Sequence, residues 1–173
     1  MGEHEDEVTP KPAVSIEDAS PSPLPDVLVV DDGEIIRKML VFLFECEGHT
    51  VEQAPGGAEA LAALRRRSPD CMILDLMMPG IDGLSVLHAR KQENLAPDTR
   101  VIVLTAKSGT GDAVKCWEAG ADEFLTKPFD PERILRSVRE LSALTPEEAQ
   151  RRRTDGLKDS RRLDALAAAA RCR

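Results

Sequence analysis

From residue 26 onward the chain alternates short aliphatic, β-branched runs with longer stretches in which apolar residues recur every three or four positions. The runs at Val27–Asp31, Thr50–Ala54, Asp70–Asp75, Arg100–Thr105 and Glu123–Thr126 have strand length. Several are nearly continuous in apolar residues, as burial on both faces of a sheet requires. The second, Thr50-Val51-Glu52-Gln53-Ala54, alternates instead, as an edge strand does. Between them, helical spacing predicts helices over Glu34–Cys46, Gly57–Arg67, Gly83–Glu93, Gly111–Ala119 and Pro131–Leu144. This alternation implies an α/β fold: one five-stranded parallel sheet flanked by five helices. Right-handed crossovers leave few topologies, and the order 2-1-3-4-5 is expected because it sets the first and third strands side by side.

The ends have a different texture. Residues 1–25 are rich in Pro, Ser, Asp and Glu without apolar periodicity, and are expected to be a disordered arm, since they cannot bury enough surface to offset ordering entropy. Residues 26–144 form the predicted domain, and residues 145–173 a helical or partly disordered tail. The tail opens on Thr145-Pro146-Glu147-Glu148, which supplies an N-cap, a first-turn proline and acids near the positive end of a helix dipole. The sequence predicts an interruption at Gly156 and an apolar stripe through Leu157, Leu163 and Leu166.

Composition narrows the function. At 173 residues, with 42% hydrophobic and 31% charged, the chain has room for one ordinary core. A net charge of -8 argues against sequence-independent binding to nucleic acid, which needs excess Lys and Arg. The tail mixes its arginines with acids and lacks aromatics to stack on bases. No DNA binding is expected on these grounds and because the roughly 30 residues after the fifth helix are too few for a second domain of typical size; the tail reads as a partner-directed or autoinhibitory helix, or as a frayed helix with no role. Cys46, Cys71, Cys116 and Cys172 form no CxxC pair, so neither a zinc site nor a disulfide framework is suggested. The acidic start lacks the positive region of a secretory signal, and no apolar run reaches the roughly 20 residues that span a bilayer. A cytoplasmic protein without membrane insertion is expected.

The chemistry sits where the strands end. The first ends in Asp31-Asp32, the third in Asp75, the fourth in Thr105 and the fifth in Lys127. In a parallel sheet these residues converge on the C-terminal edge, where open α/β sheets place their sites. Taken singly, each has a structural explanation: a solvated acidic turn, a strand-end hydroxyl, a surface lysine. Jointly they make a set that binds a divalent cation and accepts a phosphoryl group. Three carboxylates brought together repel one another, so a cation follows from the cluster. Mg2+ suits it, needing only one or two carboxylates beside its waters and a phosphate oxygen. Asp75 is placed to attack phosphorus, Thr105 to donate to a phosphoryl oxygen and Lys127 to pair with another.

In this combination the chain resembles the receiver domain of two-component response regulators, over roughly Asp26 to Leu144. The resemblance implies a flavodoxin-like fold, and the short tail after the fifth helix makes a stand-alone, chemotaxis-regulator-like receiver the expectation. It implies Asp75 as phospho-acceptor, Asp32 as direct Mg2+ ligand, Asp31 as an acidic partner acting through water, and Met77 as a backbone-carbonyl ligand. Thr105 and Lys127 would be the switch hydroxyl and the phosphate-binding lysine, with a cis peptide before Pro128. Phe124 would be the switch aromatic, swinging inward as Thr105 moves. Gly33 stands where many relatives have an acid, and Phe124 where tyrosine is frequent. The implied partners are a sensor histidine kinase or phosphotransfer protein, and an output protein at the fourth helix, fifth strand and fifth helix. Lys115 and Arg133, both positive, weaken the case for one family dimer. The chain would be a switch catalysing only its own phosphorylation and slow dephosphorylation. The competing readings are a receiver-like scaffold that works without phosphorylation and a Mg2+-dependent aspartyl-phosphate hydrolase. The second is opposed by Met77, which stands where such enzymes carry a general acid. Trp117 is expected in the core.

Overall fold

The computed structural model describes residues 24–106 and 109–171. The arm expected at residues 1–25 lies outside them up to residue 23, as do Cys172 and Arg173. The chain runs β1 (Val27–Val30), α1 (Glu34–Cys46), β2 (Val51–Ala54), α2 (Gly57–Arg66), β3 (Cys71–Leu74), α3 (Gly83–Gln92), β4 (Arg100–Thr105), α4 (Thr110–Glu118), β5 (Glu123–Thr126), α5 (Pro131–Ser142) and α6 (Pro146–Arg171). The strands form one parallel sheet in the order β2-β1-β3-β4-β5, as the alternation predicts.

Successive strand residues face opposite sides of the sheet, so each strand feeds two cores. Leu28, Val30, Met72, Leu74, Val101 and Val103 pack under α2, α3 and α4, where Leu64, Val86, Leu87 and Cys116 meet them. Val27, Val29, Ile73, Ile102 and Leu104 pack under α1 and α5, against Leu40, Phe44, Ile134 and Val138. Strands β1, β3 and β4 are buried along their length, whereas β2 is largely accessible, as its alternation implies.

Local signals set the helix starts. Asp82 caps α3 by accepting from Ser85 N at 2.7 Å, and Asp130 caps α5 ahead of Pro131. At α6, Glu148 N donates to Thr145 Oγ1 (3.3 Å) while Glu148 Oε2 accepts from Thr145 N (2.8 Å), a reciprocal capping box. The helix then runs unbroken through Gly156, which corrects the expected interruption there. A glycine inside a helix costs about 1 kcal/mol relative to alanine. Here the Trp117 ring lies against its backbone, so close that an added Cβ would sit 2.5 Å from Cζ2. Trp117 is thus half-buried in a helix–helix seam and not in the sheet core. The face that α6 turns to the domain comprises Ala149, Arg152, Arg153, Gly156, Leu157 and Ser160, while Leu163 and Leu166 are 56% and 61% exposed. The expected leucine stripe is therefore not the docked face.

Candidate functional site

Side-by-side pairing of β1 and β3 builds the site. Val30 is in register with Leu74, and Asp75 N donates to Val30 O at 2.9 Å, so Asp31 and Asp75 leave the sheet together. Asp31, Asp32 and Asp75 each offer a carboxylate oxygen within 4.8 Å of the others. Asp31 and Asp75 are only 2% and 5% exposed, whereas Asp32 faces solvent.

Lys127 closes the cluster. Its Nζ lies 2.6 Å from Asp31 Oδ2 and 2.6 Å from Asp75 Oδ2. The remaining oxygens bond to backbone: Asp31 Oδ1 accepts from Gly33 N at 2.8 Å and Asp75 Oδ1 from Met77 N at 3.0 Å. Thr105, fully buried at the end of β4, is tied to the same edge because Lys127 N donates to its carbonyl at 2.8 Å. The Lys127–Pro128 peptide is cis. Phe124 stands opposite Val103 on β5, half-buried, and lines a cleft with Trp117 of α4 and Gly156 and Leu163 of α6. Asp31, Asp32, Asp75, Thr105 and Lys127 therefore share one edge, with Met77 in the loop after Asp75 and Phe124 one strand position removed from Leu125.

Burial disfavours the Lys127 ammonium, but hydrogen bonds and charge from Asp31 and Asp75 outweigh it and hold its pKa above the ordinary lysine value. A raised pKa of this kind contributes stability that is complete below the unfolded-state lysine pKa and fades as pH rises through the folded value. The pairing is thus intact at neutral pH. Removing one member of a buried ion pair typically costs about 3–5 kcal/mol; Asp31 and Asp75 each keep a backbone N–H partner, so Lys127→Ala should cost less, about 2 kcal/mol. Two carboxylates would then face each other unscreened, and Mg2+ should raise the melting temperature of this variant more than that of the wild type. Thermal melts with and without Mg2+ check this; equal shifts would remove the electrostatic argument.

Two sets of supporting residues escape a reading of the sequence. Arg37 Nη1 donates to the carbonyls of Asp31 (2.8 Å) and Asp32 (3.3 Å), bracing the acid loop from α1. Asp122, fully buried just before β5, accepts from Val101 N (2.8 Å) and from Arg153 Nε (2.7 Å) and Nη2 (3.1 Å) of α6. Its neighbour Glu123 accepts from Arg152 Nη2 at 2.8 Å. Charged residues at loop ends look solvated in a sequence, and only the position of α6 reveals these as buried.

The fold and its edge of acids, hydroxyl and lysine define a receiver-type α/β domain. The chain belongs to the response regulator receiver domain family, whose model matches residues 27–139. It is 40% identical over 115 residues to "Probable transcriptional regulatory protein TcrX" of Mycobacterium tuberculosis, covering 66% of this chain and 48% of that protein. It is 37% identical over 113 residues to the "DNA-binding response regulator MtrA" of Mycobacterium leprae, covering 65% of this chain and 49% of that protein. The chain thus spans about half the length of these relatives. Among solved structures it resembles response regulator protein TrrA from Thermotoga maritima in complex with Mg(2+)-BeF, with a TM-score of 0.61, 35% identity, and coverage of 68% of this chain and 99% of that one.

These relatives correct one expectation. The acidic charge and the short, mixed-charge tail predict no DNA binding, yet similar proteins bear DNA-binding and transcriptional-regulator names. The inference failed because net charge over these residues bears only on sequence-independent neutralisation of phosphates, not on how a regulator reaches its operator. Among the described residues no helix is long and apolar enough to cross a membrane.

Proposed function

We propose that this chain is a Mg2+-dependent phospho-acceptor switch, in which Asp75 takes a phosphoryl group from a phosphohistidine on a sensor kinase or phosphotransfer protein. The observation that carries this reading is the cluster of Asp31, Asp32 and Asp75 oxygens within 4.8 Å, closed by Lys127. A carboxylate oxygen of Asp75 attacks phosphorus, the phosphorus–nitrogen bond breaks, and the imidazole leaves with its electron pair. The reading is supported by a donor set of hard oxygens that fits Mg2+: the carboxylates of Asp32 and Asp75 with the carbonyl of Met77, and Asp31 through water. When bound, the ion neutralises charge on phosphoryl oxygens. Lys127 would move from a free carboxylate to a phosphoryl oxygen, and Thr105 would donate to another.

Thr105 and Phe124 carry the state outward on this reading, since both lie on the strands that bear the site. A phosphodonor protein has an apolar surface to meet beside the acid pair: Ile35, Met39 and Phe42 share one face of α1, and Ile35 and Phe42 are 85% and 69% exposed. The likeness to transcriptional regulators supports an output in transcription and a cytoplasmic address.

Calorimetry with beryllofluoride and Mg2+ tests this reading: one equivalent should bind per chain, and only with the metal present. Asp32→Ala should weaken Mg2+ binding at least tenfold, about 1.4 kcal/mol, and Asp31→Ala less. Equal losses would count against Asp32 as the direct ligand.

A further inference from the structure

Helix α6 occupies the surface through which a receiver of this geometry would signal. It lies along α4, seats the Trp117 ring on Gly156, and grips the start of β5 through Arg153 on Asp122 and Arg152 on Glu123. A third ion pair, Arg161 Nη2 to Glu118 Oε1 at 2.7 Å, ties its middle to the end of α4. Both elements it holds lead directly from the site. Helix α4 begins five residues after Thr105, and β5 starts at Glu123, directly after Asp122, with Lys127 just past its end. Between them Phe124 lines the cleft that α6 closes.

We propose that α6 is an intramolecular cover of the α4–β5 surface, and that its docking and occupation of the Asp75 site oppose each other. The inference rests on the phospho-acceptor reading above. In this structure Phe124 is half-buried and helps to wall the α6 cleft. Drawing Thr105 toward a phosphoryl group opens space behind it for Phe124, which leaves the cleft and takes away part of the seat of α6. Thermodynamic reciprocity then requires that a docked α6 weaken binding at Asp75 by the same factor by which occupation at Asp75 weakens docking. The partner freed to bind is one that reads α4 and β5, with an acid-lined rim at Glu118, Asp122 and Glu123 that selects a helix presenting arginines on one face, as α6 does.

Trp117 is the only tryptophan, so its fluorescence reports docking directly. Gly156→Leu in the full chain should lift α6 from the ring while favouring the helix itself; Arg153→Ala removes the Asp122 clasp by a different route. Both should shift Trp117 emission to the red, raise its quenching by acrylamide, and bind beryllofluoride–Mg2+ about fivefold or more tightly, the low end of allosteric coupling. In the wild type, saturating beryllofluoride–Mg2+ should produce the same change in emission. The proposal is overturned if the variants expose Trp117 yet keep the wild-type affinity or lose affinity, or if saturation leaves Trp117 quenching unchanged or lowered. Failure of the wild type to bind beryllofluoride–Mg2+ by calorimetry would instead remove the phospho-acceptor reading, and the linkage with it.

Discussion

Asp75→Ala should incorporate no phosphoryl label from acetyl phosphate, while unfolding within about 1 kcal/mol of the wild type. The first half follows from the roles of the other two carboxylates of the cluster among the described residues. Asp31 is held by Lys127 and by Gly33 N, and Asp32 is the proposed metal ligand. The second half follows from what the side chain touches. Asp75 Oδ2 shares Lys127 with Asp31, so the ammonium keeps a carboxylate partner at 2.6 Å after the substitution. Asp75 Oδ1 leaves one orphan, the N–H of Met77, in a loop whose side chain is half-exposed and where water can replace it. Loss of one carboxylate from a crowded cluster also relieves repulsion, offsetting the lost bond. Mass spectrometry of the labelled protein checks the first half and urea unfolding the second. Label persisting on the variant would move the acceptor to another residue, and unfolding of the variant would make Asp75 a structural residue.

The sheet was legible because period and burial agree. Val27–Val30, Cys71–Leu74 and Arg100–Thr105 must be buried on both faces, and their near-continuous apolar runs say so before any coordinates. The convergence of Asp31, Asp32, Asp75, Thr105 and Lys127 followed once strand order was fixed, since parallel strands end on one edge. What could not be read was the position of α6. Nothing local in Gly156 distinguishes a helix break from a seat for an indole ring; the difference lies in Trp117, 39 residues away in sequence. Asp122, Glu123, Arg152 and Arg153 likewise look like solvated charges until the two segments meet. The charge argument against DNA binding failed for another reason: it described these residues as a polyelectrolyte, whereas the relatives are named for what whole regulators do.

The same limit of local reading gives a prediction at the site itself. Gly83 opens α3, and helix propensity alone would have Gly83→Ala stabilise the protein by up to about 1 kcal/mol. The structure demands the opposite. A Cβ at this position would lie 2.2 Å from the carbonyl oxygen of Asp75 and 2.9 Å from Cα of Leu76. Both are backbone atoms, so no rotamer change relieves the clash. Either the first turn of α3 moves outward, losing the packing of Val86 and Leu87 and the bond from Gly83 N to Leu76 O at 3.2 Å, or the Asp75–Leu76 peptide turns. Overpacking of this kind costs about 1–3 kcal/mol, enough to outweigh the propensity gain. Because the displaced backbone carries the proposed acceptor carboxylate, beryllofluoride–Mg2+ affinity should fall with stability, by about tenfold for each 1.4 kcal/mol of misplacement at the site. Urea unfolding and calorimetry on Gly83→Ala measure the two effects separately. A variant more stable than the wild type, with unchanged affinity, would mean that α3 does not approach Asp75 as closely as described.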